Sequence, residues 1–180
     1  MFLVSDGDRK NRKAIIKDTA GDDGVIYVLL AAIDFEWTLR RTILALGCMP
    51  TKALAVVMNE PEYRHLDGQR KLWKKEVAGH YGKTTPSLKA VINGGEQKLI
   101  GGATTLYSSL KKAKDLRNKL VHGLQGSCGK DYAILNAEVF FAASDALVAF
   151  AQSHGRNIYK PIRRIKSAKS ASQRTCIQKH

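Results

Sequence analysis

The sequence predicts an all-α fold: an up-and-down bundle of four main helices with short accessory helices. Three observations carry that prediction. Apolar residues recur at three- and four-residue spacing over long stretches. Glycines, prolines and capping aspartates bound those stretches. No alternation of apolar and polar residues persists long enough to make a strand. At 180 residues, 44% hydrophobic and 26% charged, the chain can bury a sizeable core in one domain.

Residues 1–22 carry charges of both signs and read as a loosely ordered lead-in, with a short helix around Arg12–Lys17. The helical domain then runs over 23–155. It starts at "GDDGVIYVLLAAIDFEWTLRRTILALG", capped by Asp22 and Asp23 and stopped at Gly47, apolar on nearly all sides and therefore central. "TKALAVVM" is a short helical piece between Pro50 and Pro61. Tyr63, Leu66, Trp73 and Val77 mark the narrow stripe of a surface helix whose outer face carries Arg64, Arg70, Lys71, Lys74 and Lys75. Two glycine pairs, Gly94–Gly95 and Gly101–Gly102, belong to a long connection with one short helix. A helix follows from about Ala103 to Val121, and an apolar final helix runs from Lys130 to a stop at Gly155. Residues 156–180 hold eight Lys or Arg and no acid, a basic tail that reads as disordered by composition.

The formal net charge of +14 points to a polyanionic partner, and the phosphate backbone of RNA or DNA is the commonest one. Three cysteines without CxxC spacing argue against a disulfide framework and a zinc site. The five histidines show no HxxxH or HxH pair, so neither metal nor cofactor is expected. "GHYGKTT" around Lys83 lacks the first glycine of a phosphate loop, since Val77 stands there, and Pro86 soon interrupts any helix after it. No apolar run reaches a membrane span, and a cytoplasmic protein is expected.

The chemistry concentrates in "KKAKDLRNKLVHGLQG", residues 111–126. At about 100° per residue Leu106, Leu110, Ala113, Leu120 and Leu124 fall within a stripe of roughly 80°, and Arg117 falls inside it. A guanidinium is always charged, so this position demands an acid, an interface or a ligand. Asp34 and Glu36 of the central helix are the candidate acids; Glu36 stands one turn before Arg40, which leaves Asp34 for Arg117. Asn118 and His122, four apart, share a flank with Lys111, and His122 lies in the last turn, where the helix dipole favours an imidazolium.

"LRNKLVH" resembles the R-x4–6-H signature of the HEPN family, here as Arg117, Asn118, three residues and His122. The resemblance implies a HEPN-like helical bundle and a metal-independent endoribonuclease, a toxin or antiviral-defence effector. His122 would act as general acid or base, Arg117 would stabilise the transition-state charge and Asn118 would support them. Attack by the substrate's own 2′-hydroxyl would leave a 2′,3′-cyclic phosphate. Lys111, Arg70, Lys71, Lys74 and Lys75 would hold RNA through its phosphates. HEPN nucleases commonly dimerise with both motifs in one cleft. Arg117 and His122 point about 140° apart on an ideal helix, which a homodimer would reconcile. An antitoxin or defence-system partner is a further expectation. One toxin branch has a tyrosine two residues after the histidine, the target of a modifying antitoxin; Leu124 stands there instead. A non-catalytic HEPN-like module, binding nucleic acid or another protein, is the alternative.

Overall fold

Asp23 starts the longest apolar helix. Its Oδ1 accepts from the Val25 and Ile26 amides at 2.8 and 3.0 Å, satisfying donors that a helix start leaves open. The resulting helix α2, Gly24–Leu46, is the central one, as its composition predicts. The computed structural model describes residues 6–159 apart from Cys48 and Lys83; the basic segment from residue 160 onward lies outside the described residues. Every regular element among the described residues is helical, so the all-α expectation holds.

Helix α1, Asp6–Ala20, includes the short helix expected around Arg12–Lys17 and extends it over most of the lead-in. Ile16 and Ala20 enter the core from it, and its polar residues tie it to the rest of the fold. Arg12 Nε pairs with Asp34, and Lys13 Nζ lies 3.3 Å from Asp145. Charges of both signs hid this helix in the sequence, because its anchors lie on other elements.

Helix α3, Thr51–Asn59, buries Leu54 and Met58 and gives way to a 3-10 turn, Pro61–Arg64. Helix α4, Leu66–Trp73, comes so soon after that turn that a Cβ on Gly68 would stand 1.8 Å from the carbonyl oxygen of Glu62. Only glycine fits there. Helix α4 widens into a π-helical stretch, Lys74–Ala78, and ends in the short turn α5, Gly79–Tyr81. Trp73 fixes this segment: its indole N–H donates to the carbonyl of Pro86 at 3.1 Å, and its rings lie 5.6 Å from those of Phe150. Helix α6, Leu88–Asn93, is capped by Ser87 and occupies the long connection.

Helix α7, Leu106–Val121, begins three residues later than the sequence suggests, at a reciprocal cap between Thr105 and Ser108. Helix α8, Lys130–Ser153, supplies the largest share of the core, with Phe140, Phe141, Leu147 and Val148 essentially enclosed. It packs on α2 so closely at their first turns that a Cβ on Gly24 would lie 2.8 Å from that of Ala133. Further along, Phe35 meets Phe140 at 6.0 Å. Helix α8 is long and apolar enough to cross a membrane, yet 67% of its apolar window is buried against other helices, as in a core helix.

The boundary at residue 155 also moves. Ile158 and Tyr159 are buried, Tyr159 stacks on Trp37 at 5.9 Å, and Arg41 Nε donates to the carbonyl of Ile158 at 2.9 Å. The core therefore includes the first residues of the segment that composition assigned to the tail.

Candidate functional site

The apolar stripe of α7 behaves as predicted over most of its length. Leu106, Leu110, Ala113 and Leu120 are buried, and Leu116 joins them. Leu124 does not: the helix ends before it, Gly123 takes a left-handed conformation (φ 68°), and Leu124 is 78% exposed. The Leu124 amide donates to the carbonyl of Lys119 at 2.9 Å, which closes the end of the helix.

Arg117 stands half-buried at the edge of this face. Its Nη2 lies 3.9 Å from Glu36 Oε1, and its Nη1 donates to Asn118 Oδ1 at 3.1 Å. The expectation that Glu36 would serve Arg40 and leave Asp34 to Arg117 is thus reversed. Arg12 takes Asp34, which leaves Glu36 facing α7. The arginine on the apolar stripe has an acid in its own chain, so its charge alone does not demand a second subunit.

The angular objection also changes. Lys111, Asn118 and His122 lie within about 40° on the helix, whereas the Arg117 backbone points about 100° away from Asn118. The Arg117 and Asn118 side chains meet across that gap, at the helix end that also carries His122. His122 itself caps the helix, with its amide donating to the Asn118 carbonyl at 3.0 Å and its side chain exposed. The motif residues therefore gather at one end of one helix: a guanidinium, a carboxamide bonded to it and an exposed imidazole.

The sequence reading missed Lys114. It lies beneath Arg117 with 8% of its surface exposed, and its Nζ is 3.9 Å from the same Glu36 oxygen. That ammonium is enclosed and makes no hydrogen bond. Burial pushes its pKa down, Glu36 pushes it up, and the neighbouring charges of Arg117 and Arg40 push it down again. Lys114 and Arg117 thus share the Glu36 carboxylate, and the charge of Arg40 is felt at Lys114.

The predicted RNA-holding residues form a second group. Arg70, Lys71, Lys74, Lys75 and Lys111 are all exposed, as an outer face requires. Arg70 Nη1 lies 3.2 Å from Asp67 Oδ1, and Lys111 Nζ reaches the same oxygen at 4.0 Å, which links α4 to α7. Lys71 pairs with Glu62 at 3.2 Å and Lys75 with Glu76 at 3.9 Å. The face is therefore patterned with acids, which the reading as a basic surface overlooked. Exposed pairs of this kind are weak, roughly 0.2–1 kcal/mol, and a phosphate can displace them.

Among the described residues no three His, Cys, Asp or Glu side chains are grouped to hold a metal ion. No protein-family model, no curated protein and no solved structure matches this chain, so the chemistry of the site rests on its own residues.

Proposed function

We propose that this chain is a metal-independent endoribonuclease of the HEPN type, acting in the cytoplasm as a toxin or antiviral-defence effector. Helices α2, α4, α7 and α8 would then be the four main helices of a HEPN-like bundle. The observation that carries the reading is the Arg117–Asn118 hydrogen bond at the end of α7, next to the helix-capping, exposed His122. In that reaction His122 moves protons at the 2′-hydroxyl and at the leaving 5′-oxygen. Arg117 neutralises the charge that gathers on the phosphate, and the Asn118 carboxamide sets its direction. Lys111 and the Arg70–Lys75 face hold the flanking phosphates.

A homodimer belongs to this proposal on new grounds. Val121 is 50% exposed and Leu124 78% exposed, on either side of His122. Two such apolar residues beside a catalytic histidine suit burial against a second copy across a two-fold axis.

The Arg117–Glu36 pair favours a second reading, in which Arg117 joins α7 to α2 and the domain binds RNA or a partner without cutting. The test is incubation of the purified protein with RNA in excess chelator, beside an Arg117→Ala, His122→Ala double variant. Cleavage by the native protein alone, with cyclic-phosphate ends, supports the enzyme. RNA binding without cleavage favours the adaptor, and neither binding nor cleavage favours a protein-interaction domain.

A further inference from the structure

Lys114 is a buried cation that the nuclease mechanism leaves unused. An ammonium carries three donors, and this one is enclosed without a hydrogen bond. Its nearest acid, Glu36, stands at 3.9 Å, beyond hydrogen-bonding distance. Such burial is costly, and an apolar side chain of the same length would fill the space without that cost. The cluster also holds more cation than it can neutralise, since Glu36 is shared between Lys114 and Arg117 while Arg40 adds a third positive charge nearby. Both shared distances are 3.9 Å, so the carboxylate is fully committed to neither cation. Glu36 has another place to go: Arg40 stands one turn further along α2, at the spacing where helical acid and base meet.

We propose that Lys114 and Arg117 form a subsite for a single RNA phosphate, which Glu36 occupies in the free protein and vacates toward Arg40 when the phosphate enters. The subsite rests on the phosphate role given to Arg117 above, and adds Lys114 as a second binding cation with Glu36 as the displaceable group. The flexible stem of lysine lets the ammonium rise to the phosphate, where it gains the acceptors it lacks inside. Arg117 exchanges a shared carboxylate for a phosphate that it can meet with two parallel donors.

The experiment uses the full chain and a 2′-O-methyl RNA oligonucleotide, which cannot be cut through its 2′-oxygen. Affinity is measured against salt, alongside thermal melting. Lys114→Met should melt at or above the native temperature, bind RNA more weakly, and lower the salt slope by about one. Glu36→Gln should bind several-fold more tightly, because the competitor for both cations has lost its charge. A Lys114→Met protein that fails to fold or melts well below the native one makes Lys114 a structural residue and overturns the proposal. Unchanged affinity and slope in that variant, or no binding by the native protein, also overturn it. The nuclease reading is judged separately on natural RNA. Lys114-dependent binding without cleavage would sink the nuclease and keep the subsite, and cleavage with Lys114-independent binding would do the reverse.

Discussion

Arg117 and Asn118 are adjacent in the chain and joined through their side chains, with Nη1 donating to Oδ1 at 3.1 Å. The bond turns the carboxamide oxygen toward the guanidinium and leaves the NH₂ group able to donate elsewhere. Asn118→Asp replaces that donor with a carboxylate directly on Arg117. RNA cleavage should fall by roughly 100-fold, the scale of losing one positioned donor. Asn118→Ala should fall less, since it adds no competing charge. If the two substitutions prove equal in single-turnover assays, Asn118 has no directing role.

His122 is exposed beyond the last packed turn of α7, so its removal should cost little stability, within about 0.5 kcal/mol. His122→Ala should nevertheless abolish cleavage. Mixing Arg117→Ala with His122→Ala subunits should restore part of the activity if a dimer cleft is shared. Light scattering should then show a dimer that Leu124→Glu and Val121→Glu together dissociate. A protein that stays monomeric at working concentration removes the two-fold site.

Arg12 and Asp34 make a largely buried pair between α1 and α2, and the Arg12 guanidinium also lies 4.7 Å from the centre of the Trp37 ring. Arg12→Met should cost about 3 kcal/mol, because it takes a charged partner from a buried carboxylate. The double variant Arg12→Met, Asp34→Leu should regain much of that loss in urea melts. Additive losses would show that the two groups do not act together.

The buried part of the C-terminal segment reaches at least to Tyr159. A chain ending at Tyr159 loses seven lysines and arginines and should show a shallower salt dependence of RNA binding. A chain ending at Gly155 loses the buried Ile158 and Tyr159 and should be less stable by about 3 kcal/mol or more. Equal melting temperatures for the two truncations would contradict the packing of that segment.

Lys114 also gives stability a pH dependence. Burial lowers its pKa from the ordinary 10.5, so in the range just below 10.5 the unfolded chain holds more protons than the folded one. Stability from this group therefore rises with pH and levels off above 10.5. Lys114→Met lacks this contribution, so its stability advantage over the native chain should narrow between pH 7 and pH 10. A constant gap in urea melts would mean that the buried ammonium is not disfavoured.

The sequence made the long elements legible because each carries its own signals. Asp22 and Asp23 before an apolar run mark α2, and Gly155 marks the end of α8. Helix α1 was legible only around Arg12–Lys17, since Ile16 and Ala20 make a thin stripe and Arg12 finds its acid on another helix. Thr105 and Ser108 hold the start of α7, a cap that the preceding Gly101–Gly102 pair obscured. The Arg117, Asn118 and His122 motif stands at the end of α7, but the acid that serves Arg117 is not the one the sequence suggests. Choosing between Asp34 and Glu36 needed the position of α1. Lys114 was passed over because lysines usually face solvent. The available signal was its angle, about 40° from the buried Leu110 on an ideal helix.

Trp37 receives the guanidinium of Arg12 from α1 and the ring of Tyr159 from the far end of the described chain. Helix α1 and the Ile158–Tyr159 segment thus close on one indole, as a clasp closes a loop. Opening of either segment strips the same ring, so the two share one unfolding unit although they lie far apart in the sequence. Because that indole senses both neighbours, its fluorescence reads the opening of the clasp from either side.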